Sequence, residues 1–294
     1  MDRNIFNKIK AILEKAEQLF PITGVVGFGS RAKGQATPYS DIDLLVVAEE
    51  IPLQRHRRGK EIAYIKRALP GLLVDILLCT RQEVQSNFRN HNPLFLDIAE
   101  EGVLIIDFDQ FLGNLMEETR AYVRQNGIKK WEEGWLFPVQ RGVPTYLSKV
   151  SNKDFALGML KDGERDFLIG QKLIEDGFYD KAVYHFQQAV EKGIKSLLIA
   201  MGSFQKTHFV GTVLRARLQE VEITDEWKQI LAEAAEISEG IEPEVSLSRY
   251  PGIIEDTLWL PFEAYEKEDA DRAMESGSKV LSIAKRFVEE WFNQ

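Results

Sequence analysis

Apolar and polar positions follow two rhythms along this chain. In the first third, short apolar runs interrupt stretches of helical periodicity. After about residue 151 only the helical period remains. Residues 3–19 place Ile5, Ile9, Ile12, Leu13, Ala16 and Leu19 on one face of an expected helix. "ITGVVGFG" reads as a strand ending in a glycine turn, "DIDLLVVA" as a second strand, "LLVDILLC" as a third and "GVLIID" as a fourth. A basic amphipathic helix is expected over 53–69 and another helix over 109–126. Strands alternating with helices predict an α+β unit built on a mixed sheet with helices.

From Ser151 the chain reads as an all-α antiparallel helical bundle. "SNKDFALGMLKDGERDFLIGQKLIEDG" opens on cap-type residues and closes on glycine. The next segment places Ala182, Phe186, Ala189, Val190, Ile194, Leu197 and Met201 on one face. Further helices are expected near 207–220, 224–239 and 268–292. The expected division is a first domain over 1–126, a connector over 127–150 and the bundle over 151–294. The connector holds Trp131, Trp135 and Phe137, too aromatic for a loose tether. These rings would serve interdomain packing or an acceptor or dimer surface.

Composition narrows the class. The chain has 294 residues, 44% hydrophobic and 28% charged, with a formal net charge of −9. Such acidity argues against nucleic-acid binding over the whole surface. One cysteine, Cys79, rules out an intramolecular disulfide and a cysteine metal site. The charged start is unlike a signal peptide, and no apolar run reaches membrane-spanning length. A cytoplasmic protein without membrane attachment is therefore expected.

Two acids interrupt the second strand. Asp41 and Asp43 lie two apart, so they project to the same side. Adjacent carboxylates repel unless a cation lies between them, and Mg²⁺ prefers carboxylate oxygens together with substrate phosphates. Asp75 interrupts the third strand in the same way. Burying it alone would be costly, and if the third strand lies beside the second, it completes an acidic triad. The plainer alternatives are a turn residue for Asp41, a solvated face for Asp43 and a paired structural acid for Asp75. Gly29 and Ser30 end the first strand, where a turn opening a short helix offers backbone N–H groups to an anion. Arg31 and Lys33 add positive charge to that turn.

"GSRAKGQATPYSDIDLLV", with ten residues between Ser30 and Asp41, resembles the minimal nucleotidyltransferase branch of the polymerase-β superfamily, over residues 20–107. The resemblance implies that Gly29 and Ser30, with Arg31 and Lys33 beside them, hold a nucleoside triphosphate. It implies that Asp41 and Asp43 hold Mg²⁺. Asp75 would activate the acceptor hydroxyl or help bind a second metal. The implied reaction moves NMP, with AMP from ATP expected, to a hydroxyl of a small molecule or a protein tyrosine.

"YDKAVYHFQQAVEKGIKSLL", "THFVGTVL" and "SRYPG" resemble the HEPN domain over residues 152–292. Some HEPN domains are ribonucleases with Arg followed by His after four to six residues. Here Arg249 is followed by no such histidine, which argues against that activity. The joint layout is similar to aminoglycoside (kanamycin-type) nucleotidyltransferases and to toxin–antitoxin pairs, so a homodimer is expected. A nucleotide-binding module with little turnover is the competing reading. His185, Gln188, Lys192 and Lys195 form a polar stripe, read as a solvated face, helix–helix hydrogen bonds or an acceptor wall. "RHRRGK", Arg55 to Lys60, reads as a solvated helix face or an anion-steering patch. His208 reads as a capping or packing residue rather than a metal ligand.

Overall fold

The structure is a computed structural model describing residues 3–15, 20–37, 40–132, 134–147, 149–254 and 256–293. The chain divides into two compact units, Met1–Gly127 and Ile128–Gln294.

In the first unit α1 (Arg3–Lys15) leads to β1 (Ile22–Phe28), α2 (Gly29–Lys33) and β2 (Ile42–Ala48). Then come α3 (Gly59–Ala68), β3 (Val74–Cys79), α4 (Arg81–Arg89), α5 (Pro93–Glu101), β4 (Val103–Asp107) and α6 (Phe111–Gln125). Residues 16–19, the end of the first expected helix, lie outside the described residues. The expected basic helix begins later than the pattern suggests, with a short 3-10 turn at Arg55–Arg57 before it.

The sheet order is β3-β2-β1-β4. β1 runs antiparallel to β2 and β4, while β2 and β3 are parallel. Alternation along the strands feeds two cores. Ile42, Leu44 and Val46 of β2 join Val74, Ile76 and Leu78 of β3 beneath α1 and α3 residues such as Ile9 and Ile65. Leu45, Val47 and Cys79 face the other way, among Val84, Phe88, Phe95, Ile98 and Leu112. Asp43 and Asp75 occupy the same alternation as this second set. Burial pushes the Cys79 thiol up to about 11.

One cation ties the far end of the sheet. Arg58, 1% exposed, donates to the carbonyls of Pro52, Leu53 and Leu78 at 2.7, 2.9 and 2.9 Å. It also forks onto Glu83 at 2.7 and 3.1 Å. Glu83 in turn caps α4 through the Thr80 amide at 2.8 Å. Arg55, His56, Arg57 and Lys60 of the basic run are exposed, as expected of a solvated face, while Arg58 is buried; Arg55 and Arg58 both pair with Glu83.

The second unit opens with β5 (Lys129–Trp131) and β6 (Gly134–Leu136), followed by α7 (Asn152–Glu175), α8 (Tyr179–Ala200) and β7 (Ser203–Phe204). α9 (Val210–Glu220), α10 (Asp225–Ile241), α11 (Glu244–Leu247), β8 (Gly252–Ile254), β9 (Thr257–Trp259), α12 (Pro261–Ala264) and α13 (Lys267–Phe292) complete it. α7 and α8 are long helices joined by a turn at Gly177. They approach closely because Gly170 leaves room for the Phe186 ring, which a methyl group there would strike. β6 pairs with β5 and with β7, so the stretch after Gly127 is folded within this unit. Trp135 and Phe137 are buried, and Phe137 meets Phe204 edge-on at 5.1 Å. The Phe137–Phe204 contact lies within the second unit. No helix among the described residues is long and apolar enough to cross a membrane.

Glu83 gives a pH test. Burial raises its pKa, but the hydrogen bonds from Arg58, the Thr80 amide and Arg55 outweigh that and hold it at about 2, against an ordinary 4.5. Its stabilising contribution is therefore complete above pH 4.5 and is lost as pH falls towards 2. Acid unfolding followed by circular dichroism should lose part of its slope in that window in Glu83→Gln. Arg58→Ala, which strips Glu83 of its buried partner and leaves it Arg55 and the Thr80 amide, should cost about 3 kcal/mol in urea unfolding at neutral pH.

Candidate active site

Three strand ends meet at one edge of the sheet. Antiparallel pairing sets Phe28, the last residue of β1, against Asp43. Parallel pairing sets Asp43 against Asp75. The first turn of α2 follows Phe28 directly. The sheet thus brings Gly29, Ser30, Asp43 and Asp75 together from three separate stretches of sequence. Asp41 lies just ahead of β2, two residues before Asp43, and is exposed. Ile42 between them is buried in the core and anchors the pair, its amide donating to the Leu73 carbonyl at 2.8 Å.

Gly29 has φ +72°, in the left-handed region that favours glycine. A methyl group on its Cα would overlap the Asp43 carboxylate. The turn and the carboxylate are therefore in direct contact, and only a residue without Cβ lets them be. Ser30 is half-buried at this turn. Its carbonyl accepts from the Gln35 amide at 2.9 Å.

The two cations of the turn serve inward roles. Arg31 donates through Nε and Nη2 to the Ser40 carbonyl at 3.0 and 2.6 Å. Lys33 pairs with Glu101 of α5 at 2.8 Å. Glu101 and Ser40 are contributors that motif reading missed. Ser40 is adjacent to Asp41 in sequence, but nothing in its side chain announces that its carbonyl is the anchor.

Asp41 and Asp75 are exposed and Asp43 is half-buried. The expectation that Asp75 is a buried charge is corrected: β3 is an edge strand, and its start stays in contact with water. Among the described residues no three His, Cys, Asp or Glu side chains form a ready-made metal cluster. The expected triad of Asp41, Asp43 and Asp75 is thus not found as one metal-type group among the described residues; Mg²⁺ needs only one or two carboxylates and completes its shell with phosphate and water. Asp41 and Asp43 are the residues that would hold it.

In the second unit two residues of the α8 polar stripe, His185 and Lys192, bond to α7, while Gln188 and Lys195 bond to Glu191 within α8. His185 meets Asp166 at 3.0 Å. Lys192 bridges Asp162 and Asp166, each at 2.5 Å. Buried Glu191 gathers Lys195 at 2.8 Å, His208 at 3.0 Å and the amide of Gln187 at 3.3 Å. Arg249 lies over the rings of Tyr184 and Tyr250, 5.0 and 4.8 Å from their centroids. Tyr250 is 56% exposed, and its hydroxyl accepts from Arg249 Nη2 at 2.7 Å.

With this geometry in hand, comparison with known proteins is informative. A nucleotidyltransferase-domain family model matches residues 9–105. A HEPN-domain model matches residues 157–287. "Putative toxin MJ1304" of Methanocaldococcus jannaschii is 34% identical over 139 residues, 47% of this chain and 91% of that protein. "Putative protein adenylyltransferase MJ1305" of the same organism is 29% identical over 131 residues, 42% of this chain and 88% of that protein. A solved nucleotidyltransferase-like protein from Exiguobacterium sibiricum aligns over 98% of this chain and 90% of its own, at 16% identity and a TM-score of 0.35.

The Gly29 contact predicts that Gly29→Ala displaces Asp43. Strain at the positive φ alone should lower stability by about 1–3 kcal/mol in urea unfolding.

Proposed function

The chain belongs to the nucleotidyltransferase-domain family in its first unit and to the HEPN-domain family in its second, and from that premise we propose that it transfers AMP from ATP to a hydroxyl group. The observation that carries this reading is the register of β2 on β3, which sets Asp43 beside Asp75 while Gly29 touches Asp43.

Each residue then has a task. The backbone N–H groups of the Gly29–Ser30 turn, with the serine hydroxyl, receive the triphosphate. Asp41 and Asp43 would hold Mg²⁺, which would supply charge neutralisation at the phosphoryl oxygens. Asp75, exposed at the rim, accepts the proton of the acceptor hydroxyl or helps hold a second metal. The acceptor oxygen attacks the α-phosphorus in line. The bond from that phosphorus to the bridging oxygen breaks, and pyrophosphate leaves with its electron pair. Water can reach Asp75, so the accepted proton has an exit.

The acceptor is a small-molecule hydroxyl or a protein tyrosine. The name of one relative, "Putative protein adenylyltransferase MJ1305", supports a protein acceptor. Exposed Tyr250, with Arg249 at its hydroxyl, is the first residue to inspect. The absence of a histidine four to six residues after Arg249, with that arginine engaged on two tyrosines, speaks against a ribonuclease.

Incubation with Mg²⁺ and each of the four nucleoside triphosphates, followed by intact mass and pyrophosphate assay, tests the reading. Pyrophosphate release with ATP is expected, with a mass gain of one AMP if the protein itself is the acceptor. Asp43→Asn should reduce release by about 100-fold or more. ATP binding without pyrophosphate release under any acceptor tried would favour the binding-module reading, and unchanged release in Asp43→Asn would sink the site assignment.

A further inference from the structure

The turn that carries Gly29 and Ser30 and the strand start that carries Asp41 and Asp43 are separated by a loop over 34–40. The loop is closed on itself at each end. Near α2, the Gly34 amide donates to the Arg31 carbonyl at 3.3 Å and the Gln35 amide to that of Ser30 at 2.9 Å. Near β2, the Thr37 amide donates to Ser40 Oγ at 2.9 Å, and the Ser40 amide to the Thr37 carbonyl at 3.1 Å. These local bonds shape the two ends of the loop, and the β1–β2 ladder sets Phe28 against Asp43. Arg31 adds a side-chain tie ahead of that ladder: its Nε and Nη2 close on the Ser40 carbonyl, the last backbone group before Asp41. Behind α2, Lys33 holds Glu101 and fixes the helix to α5.

We propose that Arg31 is a positioning residue that locks the phosphate-binding turn to the metal-binding carboxylates, so that the two halves of the nucleotide site move as one body. The inference rests on the nucleotidyl-transfer reading for what the site binds, but the lock itself is a contact within the chain. It departs from the motif expectation, in which Arg31 meets the triphosphate directly. One edge of the guanidinium, two of its five N–H groups, is spent on a carbonyl oxygen. A planar fork matters for that contact, because Nε and Nη2 lie on a single edge and reach one acceptor together. A lysine ammonium is a point charge on a flexible stem and cannot reproduce it. A phosphate, by contrast, can still be met by a lysine as a point charge, although without the fork. Arg31→Lys is therefore the informative variant, and Arg31→Ala its companion.

The experiment compares the full chain with both variants, after thermal unfolding confirms that each is folded. Hydrogen exchange over 30–45, without nucleotide or metal, reads the lock alone. It should accelerate by about tenfold or more at 37–43 in both variants. ATP binding in EDTA should stay within about twofold of the parent, while transfer with Mn²⁺ and ATP should lose about tenfold or more in kcat, with lysine failing to rescue. Unchanged exchange in both variants overturns the proposal. So does ATP binding in EDTA that collapses in Arg31→Ala and returns in Arg31→Lys, which marks a direct phosphate contact. If the parent binds no ATP at all, the nucleotidyl-transfer reading fails, and the exchange measurement still decides whether Arg31 is the lock.

Discussion

The parallel pairing of β2 with β3 is the constraint on which the candidate site depends. Side chains in register on parallel neighbours point the same way, so Asp43 and Asp75 share one face of the sheet. A slip of one residue would set Asp43 against Val74 or Ile76 and turn alternate side chains between core and rim. The apolar residues prevent that slip. Ile42, Val74 and Ile76 are buried in one core and Leu45, Val47 and Cys79 in the other, so every step of the register is held from both faces. Antiparallel pairing of β1 then delivers the glycine turn to the same place. The acids are tolerable there because they sit where strands begin and, for Asp75, on an edge strand open to water.

Much of this was legible in the sequence. The four strands of the first unit stand out as apolar runs, and the spacing of Asp41, Asp43 and Asp75 within them implies a shared face. Long helices such as α8 and α13 announce themselves by periodicity. What stayed hidden was of two kinds. α4 and α5 are short, and the polar segment that forms α4 shows little period. Yet Thr80 and Glu83 form a capping box and Asn92 with Pro93 starts α5, signals that local reading could have used. β5 and β6 form a short local hairpin, but β7, two residues long, pairs with β6 from far along the chain, and no local pattern encodes that second pairing.

Charge was the less readable quantity. Arg31, Lys33, Arg55 and Arg58 look from the sequence like an anion-binding set. In the fold each holds a carbonyl or a carboxylate of its own unit. The same is true of Lys192 and Lys195 on α8. Basic motifs count available cations, but tertiary contacts decide how many remain for a ligand. In this chain the fold consumes several of them as internal ties, which leaves backbone N–H groups as the main candidates for receiving an anion.

The buried thiol at the end of β3 has a practical side. Cys79 is the sole cysteine and is wholly buried, with its ionisation pushed up to about 11 by desolvation. At neutral pH it is almost entirely the unreactive thiol. The native chain is therefore chemically silent towards maleimides and similar reagents while it stays folded. A cysteine placed on the 34–40 loop or beside Tyr250 would be a unique attachment point for a fluorophore or spin label, with no need to replace Cys79 and disturb the core that sets the strand register.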